Sequence, residues 1–256
     1  MFSLTNKIVF ITGSSSGIGQ AAARQFAAAG ADILLCARRH ERVSSLAAEL
    51  TTQYGVRTHA VRLDVRDRAD VFRVIGALPD EWKRISILVN NAGLSRGLDN
   101  IQDANIDDWE EMIDTNVKGL LYITRAVLPG MVERNEGHII NTGSVAGHWA
   151  YPKGNVYGAT KFAVNALSQG MKMDLLGLPI RVTSIDPGLV ETEFSVVRFR
   201  GDEGRAKKVY EGLTPMTPDD IAEAMVWAAT RPPHVNINNI IMMATDQSAP
   251  TMVHRK

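Results

Sequence analysis

The sequence predicts an α/β fold in which a central parallel sheet of about seven strands is flanked by helices on both faces. Three observations carry this. The strand-like segments are near-continuous apolar runs rather than alternating ones, the mark of strands covered on both faces. These runs alternate with helix-like stretches along the whole chain. The first run opens into a glycine-rich turn that leads straight into a helix.

Taken in order, residues 7–12 form the first strand, ending at Gly13. Residues 18–29 are Ala-rich and stop at Gly30, a helix with its terminating glycine. Residues 31–37 are the second strand, and 41–54 an amphipathic helix stopped by Gly55. Residues 58–64 are the third strand, and 67–78 a helix ended by Pro79. Residues 85–90 are the fourth strand. A long helical stretch, 107–134, carries Pro129 near its end. Residues 137–142 are the fifth strand, 155–176 a helix, 180–186 the sixth strand and 218–230 a helix. Residues 237–244 are the last and weakest strand. Residues 189–217 break the rhythm: no clear strand lies there, and long insertions of this kind are usually lids or mobile loops. The expected organisation is one domain over 1–256 with a substrate-side lid at 189–217.

Composition narrows the function. Lys plus Arg is 28 and Asp plus Glu is 28, so the chain lacks the basic excess of a nucleic-acid binder. No run of eighteen apolar residues suggests a membrane span, and the first residues do not read as a signal peptide. Cys36 is the one cysteine, so no internal disulfide is expected and a reducing cytoplasm is the expected compartment. The histidines and Cys36 show no metal-ligand spacing, and no metal is expected.

The turn after the first strand reads Thr12-Gly13-Ser14-Ser15-Ser16-Gly17-Ile18-Gly19. Glycines let backbone approach a pyrophosphate closely, and the helix N-terminus offers free N–H groups to its charge. This is the logic of the dinucleotide-binding Rossmann fold, although Gly-x-x-x-Gly-x-Gly is one residue wider than the common fingerprint. A packing turn is the bland alternative. Gly13-Ser14-Ser15-Ser16-Gly17 also fits the Gly-x-Ser-x-Gly elbow of hydrolases, but it follows the first strand and no oxyanion segment precedes it. No Gly-Lys-Ser/Thr follows, which excludes a P-loop. The second strand ends in Arg38 and Arg39 with no acid, which favours the 2′-phosphate of NADP over the ribose of NAD. Asp64 and Val65 close the third strand beside the expected adenine, with helix capping as the alternative for Asp64.

Tyr157 and Lys161 are four residues apart on a helix, hence on one face. A free tyrosine titrates near 10, and a nearby ammonium favours its phenolate. Ser144 follows the fifth strand and Asn91-Ala92-Gly93 the fourth, at the sheet edge where open α/β folds bind ligands. Asn116 sits where a helix interior is expected, a place asparagine occupies poorly unless a specific hydrogen bond holds it.

Together these residues resemble the short-chain dehydrogenase/reductase family, over essentially the whole chain. The resemblance rests on the Thr-Gly-x-x-x-Gly-x-Gly turn, Asn90-Asn91-Ala92-Gly93, Ser144, Tyr157-x-x-x-Lys161 thirteen residues later, and Pro187-Gly188. It implies Tyr157 as general acid/base, Lys161 as holder of the nicotinamide ribose and the cation that lowers the tyrosine pKa, Ser144 as polariser of the substrate oxygen, and Asn116 as anchor of a relay water. Gly13, Ser15, Ser16, Gly17, Ile18, Gly19, Arg38, Arg39, Asp64, Val65, Asn91, Ala92, Gly93, Tyr157, Lys161, Pro187, Gly188, Val190 and Thr192 are then the cofactor side. Within the family, segments such as Asp108-Trp109-Glu110, residues 125–131 and 154–161, Thr192-Glu193-Phe194-Ser195 and 234–238 resemble the NADP-dependent 3-hydroxy acid dehydrogenases, also called serine or L-allo-threonine dehydrogenases. That branch implies oxidation of the 3-hydroxyl of a short 3-hydroxy acid, with decarboxylation following when the acid is an amino acid, and a homotetramer. Lys153 stands where a small residue is expected, and the loop 189–192 is slightly short.

A 3-hydroxy acid needs a cation for its carboxylate. Arg198, Arg96 and Lys153 are the candidates, with Arg198 preferred over Lys153 because guanidinium meets carboxylate bidentately. His148 is a further candidate for the substrate pocket, with a plain loop histidine the alternative. Another class of carbonyl reductase, or a dinucleotide-binding protein without catalysis, remains as an alternative function, because function lives in the site rather than the fold.

Overall fold

β1 (Ile8–Thr12) is buried along its whole length, and its side chains divide between two cores. Val9 and Ile11 enter one, Ile8 and Phe10 the other, following the two-residue period of a strand. This two-sided burial is why the strands read as unbroken apolar runs. In this computed structural model, which describes residues 3–256, six further strands join β1: β2 (Asp32–Ala37), β3 (Thr58–Arg62), β4 (Ile85–Asn90), β5 (Gly137–Thr142), β6 (Ile180–Pro187) and β7 (Asn239–Met242). They pair in parallel in the order β3-β2-β1-β4-β5-β6-β7.

Helices α1 (Gly17–Ala28), α2 (His40–Tyr54) and α9 (Pro218–Ala229) cover one face through residues such as Phe26, Leu46 and Ile221. Helices α3 (Arg68–Gly76), α5 (Leu120–Glu133) and α6 (Asn155–Asp174) lie on the other, where Ile75, Ile123 and Leu175 pack on Phe10, Leu34 and Leu88. Emptying one such position costs about 2–5 kcal/mol. α9 starts on a capping box: Thr217 accepts from the Asp220 N–H, the Asp220 carboxylate accepts from the Thr217 N–H, and Pro218 follows the cap.

One expectation is corrected, and one of the two readings of Asp64 falls. The stretch 107–134 is not one helix. α4 (Ile106–Ile113) passes into a π-helical turn over Asp114–Gly119 and then into α5. The widened turn carries Asn116 inward, and Gly119 lets it close onto Val65, whose Cγ2 would lie 2.7 Å from an added Cβ. Asp64 caps no helix; Asp67 caps α3, accepting from the Asp70 N–H. Asp64 instead accepts from the backbone and guanidinium of Arg66. The stretch 189–217 holds two short helices, α7 (Phe194–Arg198) and α8 (Glu203–Lys208), and a parallel bridge between Val190 and Met216.

Because all strands run one way, their carboxyl ends share one edge. Chain direction across the sheet reverses between β1 and β4, which opens a crevice there. Asn91 ties the crevice together. Its Nδ2 donates to the carbonyls of Thr12 (3.0 Å) and Gly13 (3.3 Å), and Thr12 Oγ1 accepts from the Asn91 and Ala92 N–H groups at 3.0 Å.

Candidate active site

A cleft of about 430 Å³ follows this edge from the β1–α1 turn to α7. Its floor needs glycine. Gly13 has φ +66°, and an added Cβ would lie 2.9 Å from Ala92 Cα. Gly17 has φ +54° and faces Thr192, whose Cβ and Cγ2 would be 3.3 Å from an added Cβ. Polar groups wait along the cleft: Thr115 and Thr142 line it, and among the described residues their buried hydroxyls have no hydrogen-bond partner.

At one end stand Arg38 and Arg39, both exposed, with no acid at their positions. Arg39 gathers the turn: its guanidinium donates to Ser15 Oγ (3.0 Å) and Ser16 Oγ (2.8 Å), and its Nη1 pairs with Glu193 Oε2 at 2.8 Å. Arg42 pairs with the other oxygen of Glu193, also at 2.8 Å. These arginines hold the Glu193 carboxyl below its usual range, against the opposing effect of its partial burial. The Arg39 guanidinium and the two hydroxyls it gathers, with Arg38 beside them on the cleft wall, form a group that fits a phosphate. Asp64 and Val65 line the neighbouring wall, with Gly13, Ser15, Ser16, Gly17, Ile18, Asn91, Ala92 and Gly93 along the base. Gly19 is not among the lining residues; there is no room for a side chain on it, since a Cβ would meet Asn91 Nδ2 and the Gly13 carbonyl at 2.5 Å.

At the other end Ser144, Tyr157 and Lys161 come together with Pro187, Gly188, Val190 and Thr192. Tyr157 is held by a small apolar cluster with Leu94, Met112 and Ala146, and its ring meets Phe194 edge-on at 5.7 Å. Burial pushes the Tyr157 hydroxyl above its usual range, while the charge of Arg198 and the Ser144 hydroxyl pull it down. Two cations stand near the ring, and the nearer is the Arg198 guanidinium, its carbon 5.2 Å from the ring centre. Lys161 Nζ lies 5.9 Å from the ring centre and donates to the Thr142 carbonyl at 2.8 Å. Its burial lowers the ammonium to about 8, with Asp186 opposing the fall.

Asn116 occupies the π-helical turn with both ends of its side chain hydrogen-bonded. Oδ1 accepts from the Leu94 N–H (2.9 Å), and Nδ2 donates to the Leu94 carbonyl (2.8 Å) and Thr160 Oγ1 (3.0 Å). The side chain thus fastens Leu94, just past the Asn91–Gly93 segment, to α6.

The substrate candidates separate. Arg198 lines the cleft, its guanidinium carbon 5.2 Å from the Tyr157 ring centre and 5.3 Å from that of Phe194. Its Nε donates to Ser95 Oγ at 2.9 Å, and among the described residues it makes no ion pair. Arg96 is corrected: Glu111 takes its Nε at 2.7 Å, and it donates also to the Val197 carbonyl, a strap onto α7. Lys153 is corrected too: it is exposed, with φ +65°, outside the cleft. His148 lies behind the site, its Nε2 donating to Asp186 with Asn165 Nδ2 3.1 Å away, and does not line the cleft. Sequence reasoning missed Leu94, Phe194, Tyr210 and Gln247, which line it as well. Leu94 directly follows Gly93 and Phe194 lies in the 192–195 segment, whereas Tyr210 and Gln247 stand outside any motif.

Comparison with known proteins agrees with this geometry. Residues 7–202 match the family model for short chain dehydrogenase. The NADP-dependent 3-hydroxy acid dehydrogenase YdfG of Salmonella typhi is 53% identical over 250 residues, covering 97% of this chain and 99% of that protein. Sulfoacetaldehyde reductase 2 of Chromohalobacter salexigens is 47% identical over 242 residues, covering 94% of this chain and 95% of its own length. Among solved structures, the closed form of serine dehydrogenase complexed with NADP+ superposes with a TM-score of 0.91 at 50% identity, covering 97% of this chain and all of that one. The chain thus belongs to the short-chain dehydrogenase family.

Proposed function

We propose that this chain is an NADP-dependent dehydrogenase acting on the 3-hydroxyl of short 3-hydroxy acids of the L-allo-threonine, L-serine and 3-hydroxybutyrate type. One observation carries the substrate class: the guanidinium of Arg198, half-buried and without an ion pair among the described residues, faces the cleft beside Tyr157. A desolvated guanidinium favours a planar anion that it can bind bidentately. The relatives named above for 3-hydroxy acids and serine support it.

When bound, NADP supplies or accepts the hydride. Arg38, Arg39, Ser15 and Ser16 would hold its 2′-phosphate end, Gly13 to Gly19 its pyrophosphate, and Gly93, Pro187, Gly188, Val190 and Thr192 the nicotinamide side. Tyr157 takes the proton from the substrate hydroxyl at its Oη in oxidation and returns it in reduction. Ser144 would donate to the substrate oxygen, Lys161 would hold the ribose of the bound cofactor, and Asn116 would anchor a relay water. Arg198 fixes the carboxylate and lowers the cost of a Tyr157 phenolate.

The stretch 189–217 is read as a lid of this single domain, supported by Val197, Arg198 and Tyr210 in the cleft wall. A homotetramer is part of the proposal, supported by the exposed Ile113, Leu121 and Phe162 on the α4–α5 stretch and α6. So is a cytoplasmic location, supported by the free thiol of Cys36. No helix among the described residues is long and apolar enough to cross a membrane.

A sulfonate is a second anion for the same guanidinium, which the sulfoacetaldehyde reductase relative favours. The test is initial-rate reduction of NADP+, with NAD+ in parallel, on the three free acids, their methyl esters and a neutral secondary alcohol. Turnover of the acids alone supports the reading. Turnover of the neutral compounds alone makes the chain a general carbonyl reductase. Sulfoacetaldehyde with NADPH tests the second anion.

A further inference from the structure

Asp186, the penultimate residue of β6, has no exposed surface. Three side chains donate to it: His148 Nε2 and Asn239 Nδ2 to Oδ2, and Ser184 Oγ to Oδ1, each at 2.5 Å. Asn165 of α6 packs beside these groups, its Nδ2 3.1 Å from His148 Nε2 and its Oδ1 3.4 Å from Ser184 Oγ. Gly143 leaves the acid its place, because a Cβ there would lie 1.9 Å from Asp186 Oδ1. The preceding residue, Thr142, accepts from Lys161 Nζ through its carbonyl. An acid and an ammonium thus sit against the same Thr142–Gly143 stretch. A charge buried alone is costly, and Lys161 is 6% exposed. The titratable groups facing Asp186 are His148 from the loop after β5 and Lys161 from α6; β7 offers the neutral Asn239 and β6 itself Ser184.

We propose that Asp186 is a positioning residue whose carboxylate, fixed by His148, Asn239 and Ser184, keeps Lys161 charged at the Thr142 carbonyl. The inference rests on the reading of Lys161 as the cation of the site. It gives the buried acid a task that packing does not: holding a proton on a neighbour that burial would strip.

Lysine carrying 13C at its ε carbon lets the Lys161 titration be followed by NMR without any substrate, its signal assigned by its loss in Lys161→Arg. In the whole protein the Lys161 midpoint near 8 falls by about one pH unit or more in Asp186→Asn. The alkaline limb of kcat for NADPH-driven carbonyl reduction moves down with it, while KM stays within about twofold. Asn239→Ala withdraws one donor from the carboxylate, shifts the midpoint the same way by less, and carries the test if Asp186→Asn does not fold. A folded Asp186→Asn protein with an unmoved Lys161 midpoint overturns the inference, as does lost activity with an unmoved alkaline limb. A moved midpoint in a protein that turns over no 3-hydroxy or 3-oxo acid leaves the inference standing and overturns the substrate reading.

Discussion

The guanidinium carbon of Arg198 lies 5.2 Å from the centre of the Tyr157 ring and 5.3 Å from that of Phe194, so one cation touches both the proton-transfer group and the apolar wall beside it. Placed there, it attracts a substrate anion and lowers the Tyr157 hydroxyl against the upward push of burial. Arg198→Met removes both effects. KM for a free acid rises by about 10–100-fold, the worth of a hydrogen bond to a charged group, while KM for the methyl ester changes little. The rising limb of the oxidation pH profile also moves to higher pH, because the tyrosine keeps its proton longer. An equal loss on acid and ester removes Arg198 from substrate recognition.

Tyr157→Phe keeps the edge-on packing against Phe194 and removes only the hydroxyl. A positioned general acid/base is worth about 10²–10⁴ in rate, so kcat falls by that factor while NADP+ affinity, measured by calorimetry, is unchanged.

Arg39→Ala removes the group that joins Ser15, Ser16 and Glu193. NADP+ affinity falls by about 10–100-fold and NAD+ affinity stays near its original value. Titration with 2′,5′-ADP against 5′-AMP isolates the phosphate; equal weakening of both places Arg39 elsewhere than the 2′ position.

Lys161 makes stability depend on pH. Burial holds its ammonium at about 8, below the ordinary 10.5, so between these values the unfolded chain binds the extra proton. Stability from this residue is lowest below about pH 8 and recovers by up to about 3 kcal/mol as the pH climbs toward 10.5. Urea midpoints of the wild type show this rise, and those of Lys161→Met lack it.

Cys36 lies in β2 with its thiol pushed up to about 12 by burial. Since thiolate is the reactive form, an aromatic disulfide reagent at pH 8 leaves it unmodified until denaturant unfolds the chain.

The strands and their turns were legible because two-sided burial and glycine punctuation are local signals. Asn116 was legible as a misfit in a helix. The π-helical turn that explains it was not, since the same residues also suit an α-helix and the partner that decides, Leu94, is 22 residues away. Arg96 and Arg198 were indistinguishable as cations. Glu111 decides between them, and nothing near either arginine announces it. Asp64 had two local uses, capping and cofactor contact; Arg66 excluded the first. Glu193 meets Arg39 across 154 positions of sequence, a contact only the folded sheet edge creates.

That last contact makes α7 a short lever with a load at each end. Glu193, just before its first turn, grips the arginines of the cofactor side, and Arg198, at its last residue, stands over Tyr157. Five residues of helix span only about 7.5 Å. A substitution that tilts α7 therefore disturbs choice of cofactor and choice of substrate together. Divergence toward new anions has room at position 198, on the free end, while position 193 is pinned by the phosphate side.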